Sequence, residues 1–88
     1  MAAERPLQHF PDTFSIKAVG LHTADFADFV VSVVREGLDP DSAIEQRSRA
    51  SRGGKYLSVT VTFVATSQEQ LDGVFMRVSQ QSRVMWTL

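Results

Sequence analysis

Residues 55–65, KYLSVTVTFVA, alternate apolar and polar side chains more regularly than any other part of the chain. The large apolar residues fall on one side of an extended backbone: Leu57, Val59, Val61 and Phe63. The residues that carry a hydroxyl group fall on the other side: Tyr56, Ser58, Thr60 and Thr62. This period of two, together with the many β-branched residues, predicts a strand with one face against a core.

A strand and a helix are predicted before this segment. Residues 13–19, TFSIKAV, also alternate, and we expect the strand to end at Gly20. A helix should follow, with Thr23 as its N-cap and Gly37 as its terminator. Its apolar stripe has helical spacing and comprises Phe26, Val30, Val33 and Val34.

The remaining elements are an edge strand, a turn, a second helix and a final strand. Residues 43–51 are polar, which suits an exposed edge, and the glycines at 53–54 suit a turn. Two overlapping pairs have capping-box spacing and predict the start of the second helix: Thr66 with Glu69, and Ser67 with Gln70. In the terminal segment 83–88, RVMWTL, we expect the core side to hold Val84, Trp86 and Leu88.

The order βαββαβ predicts an α+β, ferredoxin-like sandwich. Right-handed crossovers place both helices on one face of a four-stranded antiparallel sheet with strand order 4-1-3-2. We assign residues 1–12 to an extended arm and residues 13–88 to a single domain. The open face of the sheet should be rich in hydroxyl groups, with Lys17 as its one charge.

Composition excludes several kinds of chemistry. The 88 residues contain no cysteine, so disulfides and thiolate chemistry are excluded, and the formal net charge is −1. The N-terminus has no apolar run typical of a signal peptide, and no segment is long enough to span a membrane. We therefore expect a cytoplasmic protein without a membrane partner.

No pattern indicates an enzyme, a cofactor or a metal. His9 and His22 are separated by a strand, and neither has a second ligand at metal spacing. The pair Asp25 and Asp28 falls on the outer turn of a helix, where two carboxylates remain solvated. We predict no catalytic residues.

Residues 52–59, RGGKYLSV, resemble half of an RNA-binding signature. In an RRM this motif carries aromatics that stack bases, but here Gly54 and Val59 stand where two aromatics are expected. Tyr56 alone fits, and the first strand offers Lys17 in place of its aromatic. These departures argue against nucleic acid as a partner. The alternative that stays open is a nucleic-acid or phosphate contact through the basic run of Arg47, Arg49, Arg52 and Lys55.

Several segments together resemble the YbeD-like bacterial proteins of unknown function. They are Phe10-Pro11, the strand FSIKAVG, the segment SRGGKYLSVTVTFVATSQEQLDGVF and the terminal VMWTL. The resemblance implies an ACT-like domain and a proposed link to lipoate metabolism, and it supplies no catalytic residues. ACT domains often bind a metabolite where the first strand meets the first helix, which implies a ligand site at Gly20, Leu21 and His22.

Two functional classes follow from these observations. One is a small regulatory or interaction module that binds a metabolite or an unknown protein partner. The other is the phosphate-contacting domain with the basic hairpin. A weak homodimer through the open face or the outer edge of the fourth strand is a further hypothesis.

Overall fold

The computed structural model describes residues 9–88 of the chain. The elements are β1 (Asp12–Leu21), α1 (Phe26–Glu36), β2 (Ile44–Ala50), β3 (Tyr56–Ala65), α2 (Gln68–Ser79) and β4 (Val84–Thr87). The strands form one antiparallel sheet in the order β2-β3-β1-β4, which is the predicted order counted from the other edge. The ferredoxin-like fold is therefore confirmed. Positions 1–8 of the predicted arm lie outside the described residues.

The core lies between the two central strands and the two helices. Ile16 of β1 pairs with Val61 of β3, and both side chains are fully buried. The helices cover this face with a stripe from each: Phe26, Val30, Val33 and Val34 from α1, and Val74 and Val78 from α2. The predicted facing of residues 55–65 is confirmed. No helix within residues 9–88 has the length and apolarity needed to cross a membrane.

The two helix starts differ in how well they were predicted. α2 begins at the second of the two predicted capping pairs, because the Ser67 side chain accepts a hydrogen bond from the Gln70 backbone N–H at 3.1 Å. At α1 the residue before the first turn is Asp25, and its side chain makes no capping hydrogen bond. The expectation that Thr23 is the N-cap is wrong. Its hydroxyl donates to the Asp25 carboxylate at 2.9 Å instead.

The turn between β2 and β3 forms where the glycines predict it. Gly53 and Gly54 have φ angles of +87° and +79°, a region that only glycine occupies without steric cost. The Ser51 N–H donates to the Tyr56 carbonyl at 2.8 Å and closes the hairpin. β2 is exposed except for half-buried Ile44, so the edge-strand prediction is confirmed.

The facing of β4 corrects the sequence analysis. Trp86 pairs with Val19 on the open face, yet Val84 pairs with Gly20 on the helix side. A register shift between Val19 and Gly20 leaves Met85 as an extra residue, and such a bulge reverses the alternation of side chains. Trp86 is therefore 51% exposed and not in the core. Leu88 is also exposed.

Gly20 lies inside a strand, whereas we expected it to end one. β1 continues to Leu21. A Cβ atom on Gly20 would lie 2.6 Å from the ring carbon Cζ of Phe26 and would also meet the Arg83 carbonyl oxygen. The missing side chain lets Phe26 lie directly over the strand, so this glycine has a packing role.

Candidate ligand cleft and the basic sheet face

A cleft opens where the end of β1, the hairpin turn and the start of β4 meet. Its volume is 540 Å³, within the ~300–1,000 Å³ typical of small-molecule sites. The lining residues are Leu21, Thr23, Phe26, Lys55, Tyr56, Ser82, Arg83 and Met85. Apolar groups form most of the wall, and two cations stand at its rim. We call this site the cleft.

One of these cations, Arg83, is held by its own neighbours. Its Nη2 donates to Asp25 Oδ1 and to Thr23 Oγ1, each at 2.8 Å. Its guanidinium carbon lies 4.5 Å from the centre of the Phe29 ring. The hydrogen bond from Arg83, and after it that from Thr23, lowers the pKa of Asp25 to about 2. Arg83 is therefore a clamp between β4 and α1, with its charge already matched.

The other cation, Lys55, has no acidic partner in residues 9–88, where Arg83 and Asp25 form the one ion pair. The Lys55 side chain is exposed, and its Nζ lies 5.4 Å from the centre of the Tyr56 ring. The Lys55 ammonium group thus lies beside the apolar wall, and its N–H donors are available to a ligand. An anionic group in the cleft would find its strongest attraction here.

The three residues of the predicted ligand site have different positions. Leu21 lines the cleft. Gly20 lies beneath Phe26, as described above, and exposes no open backbone to a ligand. The His22 Nδ1 lies 3.1 Å from the Gly54 carbonyl oxygen, and its backbone N–H donates to the Lys55 carbonyl at 2.9 Å. His22 thus fastens the hairpin turn against β1 and so positions Lys55.

The four residues of the predicted basic site do not form one cluster. Lys55 lies at the cleft, whereas Arg47 and Arg49 lie on the open face of the sheet, opposite Thr60 and Ser58 of β3. Arg52 lies in the turn, at the border of that face. The basic run is thus divided between two separate surfaces.

The open face is more charged and more aromatic than the sequence analysis expected. It carries Glu45, Arg47 and Arg49 besides Lys17, so the prediction of a single charge is wrong. Its aromatic residues are Tyr56 and Trp86. We call this surface the basic sheet face.

Sequence reasoning missed the pairing of Arg83 with Asp25 at the cleft and the facing of Arg47 and Arg49 on the sheet, for identifiable reasons. Arg83 and Asp25 are 58 residues apart, and no local pattern connects them. The facing of Arg47 and Arg49 could have been found from Ile44, the one large apolar residue of β2, because it sets the phase of the alternation. In residues 9–88 no three His, Cys, Asp or Glu side chains are placed together as metal ligands.

The fold is similar to that of ACT domains. The ACT domain of a GTP pyrophosphokinase from Chlorobium tepidum superposes with a TM-score of 0.65, covering 89% of this chain and 96% of that chain at 10% identity. Protein HP0495 from Helicobacter pylori superposes with a TM-score of 0.78, covering 98% and 90% at 16% identity. These likenesses concern the fold.

The chain belongs to the family described as "Protein of unknown function (DUF493)", whose model matches residues 5–88. A "UPF0250 protein" of Paraburkholderia phytofirmans is 42% identical over 69 residues, 78% of each chain. Another from Leptothrix cholodnii is 37% identical over 79 residues, 86% of this chain and 84% of that one. The resemblance to YbeD-like bacterial proteins is thereby confirmed, and the family is one of unknown function.

Proposed function

We propose that this protein is a small non-enzymatic regulatory module that binds a compact organic acid in the cleft. The observation that carries the proposal is the pairing of an apolar wall with the unpaired ammonium group of Lys55. A carboxylate beside Lys55 and a hydrocarbon body against Leu21 and Met85 would match the site in charge and polarity.

The charges along the cleft favour an acid with an apolar body over a free amino acid. An amino acid also carries an ammonium group, and the lining of the cleft includes no acid to pair with it. Asp25, which contacts Thr23 and Arg83 of the lining, is already bound to Arg83. Medium-chain acids such as octanoate and lipoate lack that second charge. They also agree with the link to lipoate metabolism that the family resemblance implies.

A thermal-shift measurement tests this function. Octanoate or lipoate should raise the melting temperature in proportion to the logarithm of its concentration, because it binds only the folded state. Glycine and alanine should have little effect at equal concentration. Stabilisation by the amino acids and none by the medium-chain acids would contradict the proposal.

Matched variants locate the binding. Met85→Glu places a carboxylate in the cleft and should abolish the shift, whereas Met76→Glu on α2 should not, although the two methionines are 51% and 58% exposed. Lys55→Ala should weaken the shift through loss of the ion pair. Equal shifts for all three variants would place the acid elsewhere.

A further inference from the structure

The basic sheet face contains a second hollow, separate from the cleft except for the shared Tyr56. Its volume is 390 Å³, and Trp86 forms one wall while Arg49 and Arg52 form the other. Val19 and Ser58 form the floor, since the register across the sheet runs Trp86, Val19, Ser58, Arg49. Adjacent strands lie about 4.8 Å apart, so about 14 Å separates the strand of the aromatic wall from that of the cationic wall.

A groove of 440 Å³ continues from this hollow along β2 and β3. Its residues include Lys17, Arg47 and Arg49, with the hydroxyl groups of Ser58 and Thr60 between them. None of the three cations has an acidic partner in the described part of the chain. The groove therefore offers positive charge and hydrogen-bond donors side by side, which is the chemistry that phosphate requires.

We propose that the basic sheet face binds single-stranded nucleic acid, with a base in the hollow against Trp86 and phosphates in the groove at Lys17, Arg47 and Arg49. A stacking aromatic next to a positively charged groove is the arrangement by which single strands are bound without strong sequence preference. This proposal does not rest on the function proposed for the cleft.

Two other occupants fit the face less well. A second copy of this chain would bring together two faces that each carry three cations and one acid, Glu45, so that repulsive pairs of charges would outnumber attractive ones. A peptide of acidic residues alone would satisfy the cations but has no planar ring for the hollow. An RRM stacks bases on two or three aromatic side chains, and in the sequence comparison Tyr56 alone matched one of them. The bulge in β4 adds Trp86 as a second.

Trp86 is the one tryptophan of the chain, so its fluorescence reports directly on the hollow. Titration with a 12-nucleotide oligouridylate or oligothymidylate should quench this emission as a base stacks on the indole. The dissociation constant should lie near about 1 to 100 µM at physiological salt, the range of contacts that are mainly electrostatic. Contacts to three phosphates give a slope of about −2 in log affinity against log salt, or about 20-fold weaker binding from 50 to 200 mM.

Anisotropy of a labelled oligonucleotide allows variants to be compared. Trp86→Ala should weaken binding by roughly 5- to 150-fold, the loss of one stacked base, whereas Met76→Ala on α2, 58% exposed, should have little effect. Arg49→Ala should weaken binding and make the salt slope shallower by about 0.7. Arg77→Ala on α2 removes the same charge from the helix side and should leave the slope unchanged.

Four results would overturn the proposal. The first is the absence of quenching at millimolar oligonucleotide and low salt, and the second is an equal oligonucleotide affinity of Trp86→Ala and the wild type. The third is an equal affinity of the protein for a 12-residue oligoglutamate and for the oligonucleotide. A fourth is equal affinity for uridine monophosphate and the 12-mer, because that would assign the hollow to a free nucleotide. Oligouridylate and oligothymidylate compared directly show whether the strand is RNA or DNA, and binding of either supports the proposal.

Discussion

The guanidinium group of Arg83 donates to the carboxylate of Asp25 at 2.8 Å and so ties the start of β4 to the start of α1 across 58 residues of chain. The same guanidinium group lies over the ring of Phe29. This clamp closes one end of the cleft and holds the two elements that border it. Because protonation of Asp25 would remove the carboxylate charge, we expect the clamp to weaken in acid.

We expect Asp25→Asn to reduce stability at neutral pH and to lose this effect in acid. The pKa of Asp25 is lowered to about 2 by its hydrogen bonds to Arg83 and Thr23, from the ordinary value of 3.8 for an aspartate. A lowered pKa stabilises the fold above the unfolded-state value, and this stabilisation is lost as the pH falls through the folded-state value. The difference in urea midpoint between wild type and variant should therefore shrink between about pH 4 and pH 2.

Asp28→Asn serves as the control for this measurement, because Asp28 is an exposed carboxylate on the same helix and outside the clamp. The difference in urea midpoint between Asp28→Asn and the wild type should change less over the same pH range. A difference for Asp25→Asn that stays constant down to pH 2 would show that the clamp does not depend on the carboxylate charge.

Gly20→Ala should destabilise the protein by about 1–3 kcal/mol or more, the usual range for overpacking a core. The added methyl group would lie 2.6 Å from the Phe26 ring and would push it away from the sheet. Gly73→Ala is the matched control, since a Cβ there meets nothing within 4 Å, and in a helix it should stabilise by about 0.5–1 kcal/mol. Equal effects in urea denaturation would contradict the packing role of Gly20.

Val61→Asp should prevent folding, whereas Thr60→Asp should be tolerated. Val61 is fully buried, and an unpaired carboxylate at that position costs several kcal/mol, about the whole stability of a small domain. Thr60 lies one residue away on the opposite face, between Lys17 and Arg47 of the neighbouring strands. Circular dichroism and thermal melts decide this, and two equally folded variants would show that the facing is wrong.

A weak homodimer remains a hypothesis, and the structure narrows where it would form. Face-to-face pairing is disfavoured by Lys17, Arg47 and Arg49, and the two arginines would also oppose their own copies along the edge of β2. The outer edge of β4, with Met85 and Trp86 exposed, is the better surface. Sedimentation equilibrium from micromolar to millimolar concentration should show the mean mass rising toward twice that of the monomer. A constant monomer mass would eliminate the dimer.

The sequence predicts those parts of the fold in which one pattern is strong and local. The alternation in residues 55–65 gives a strand and its buried side, and the valines of α1 give a helix. The polar character of residues 43–51 predicts an edge strand, because the side chains of an edge strand can remain exposed to solvent.

The cleft and the basic sheet face depend on contacts between residues far apart in sequence, and no local pattern contains these contacts. Trp86 lies on the open face because a bulge shifts the register of β4 against β1, and the alternation of Val84, Trp86 and Leu88 gives no sign of an extra residue. The clamp joins side chains far apart in sequence. The sequence predicts that Gly20 ends a strand, whereas its packing role depends on Phe26, which lies over it.

An NMR titration of ¹⁵N-labelled protein with octanoate tests whether the cleft binds an organic acid with an apolar body. Binding in the cleft should give amide shifts that saturate and centre on Leu21, Lys55, Tyr56 and Met85, with Arg47 and Thr60 on the basic sheet face unchanged. Lys55→Ala should require a higher octanoate concentration to reach the same shifts. Shifts centred on the basic sheet face, or no shifts at millimolar octanoate, would show that the cleft does not bind the acid.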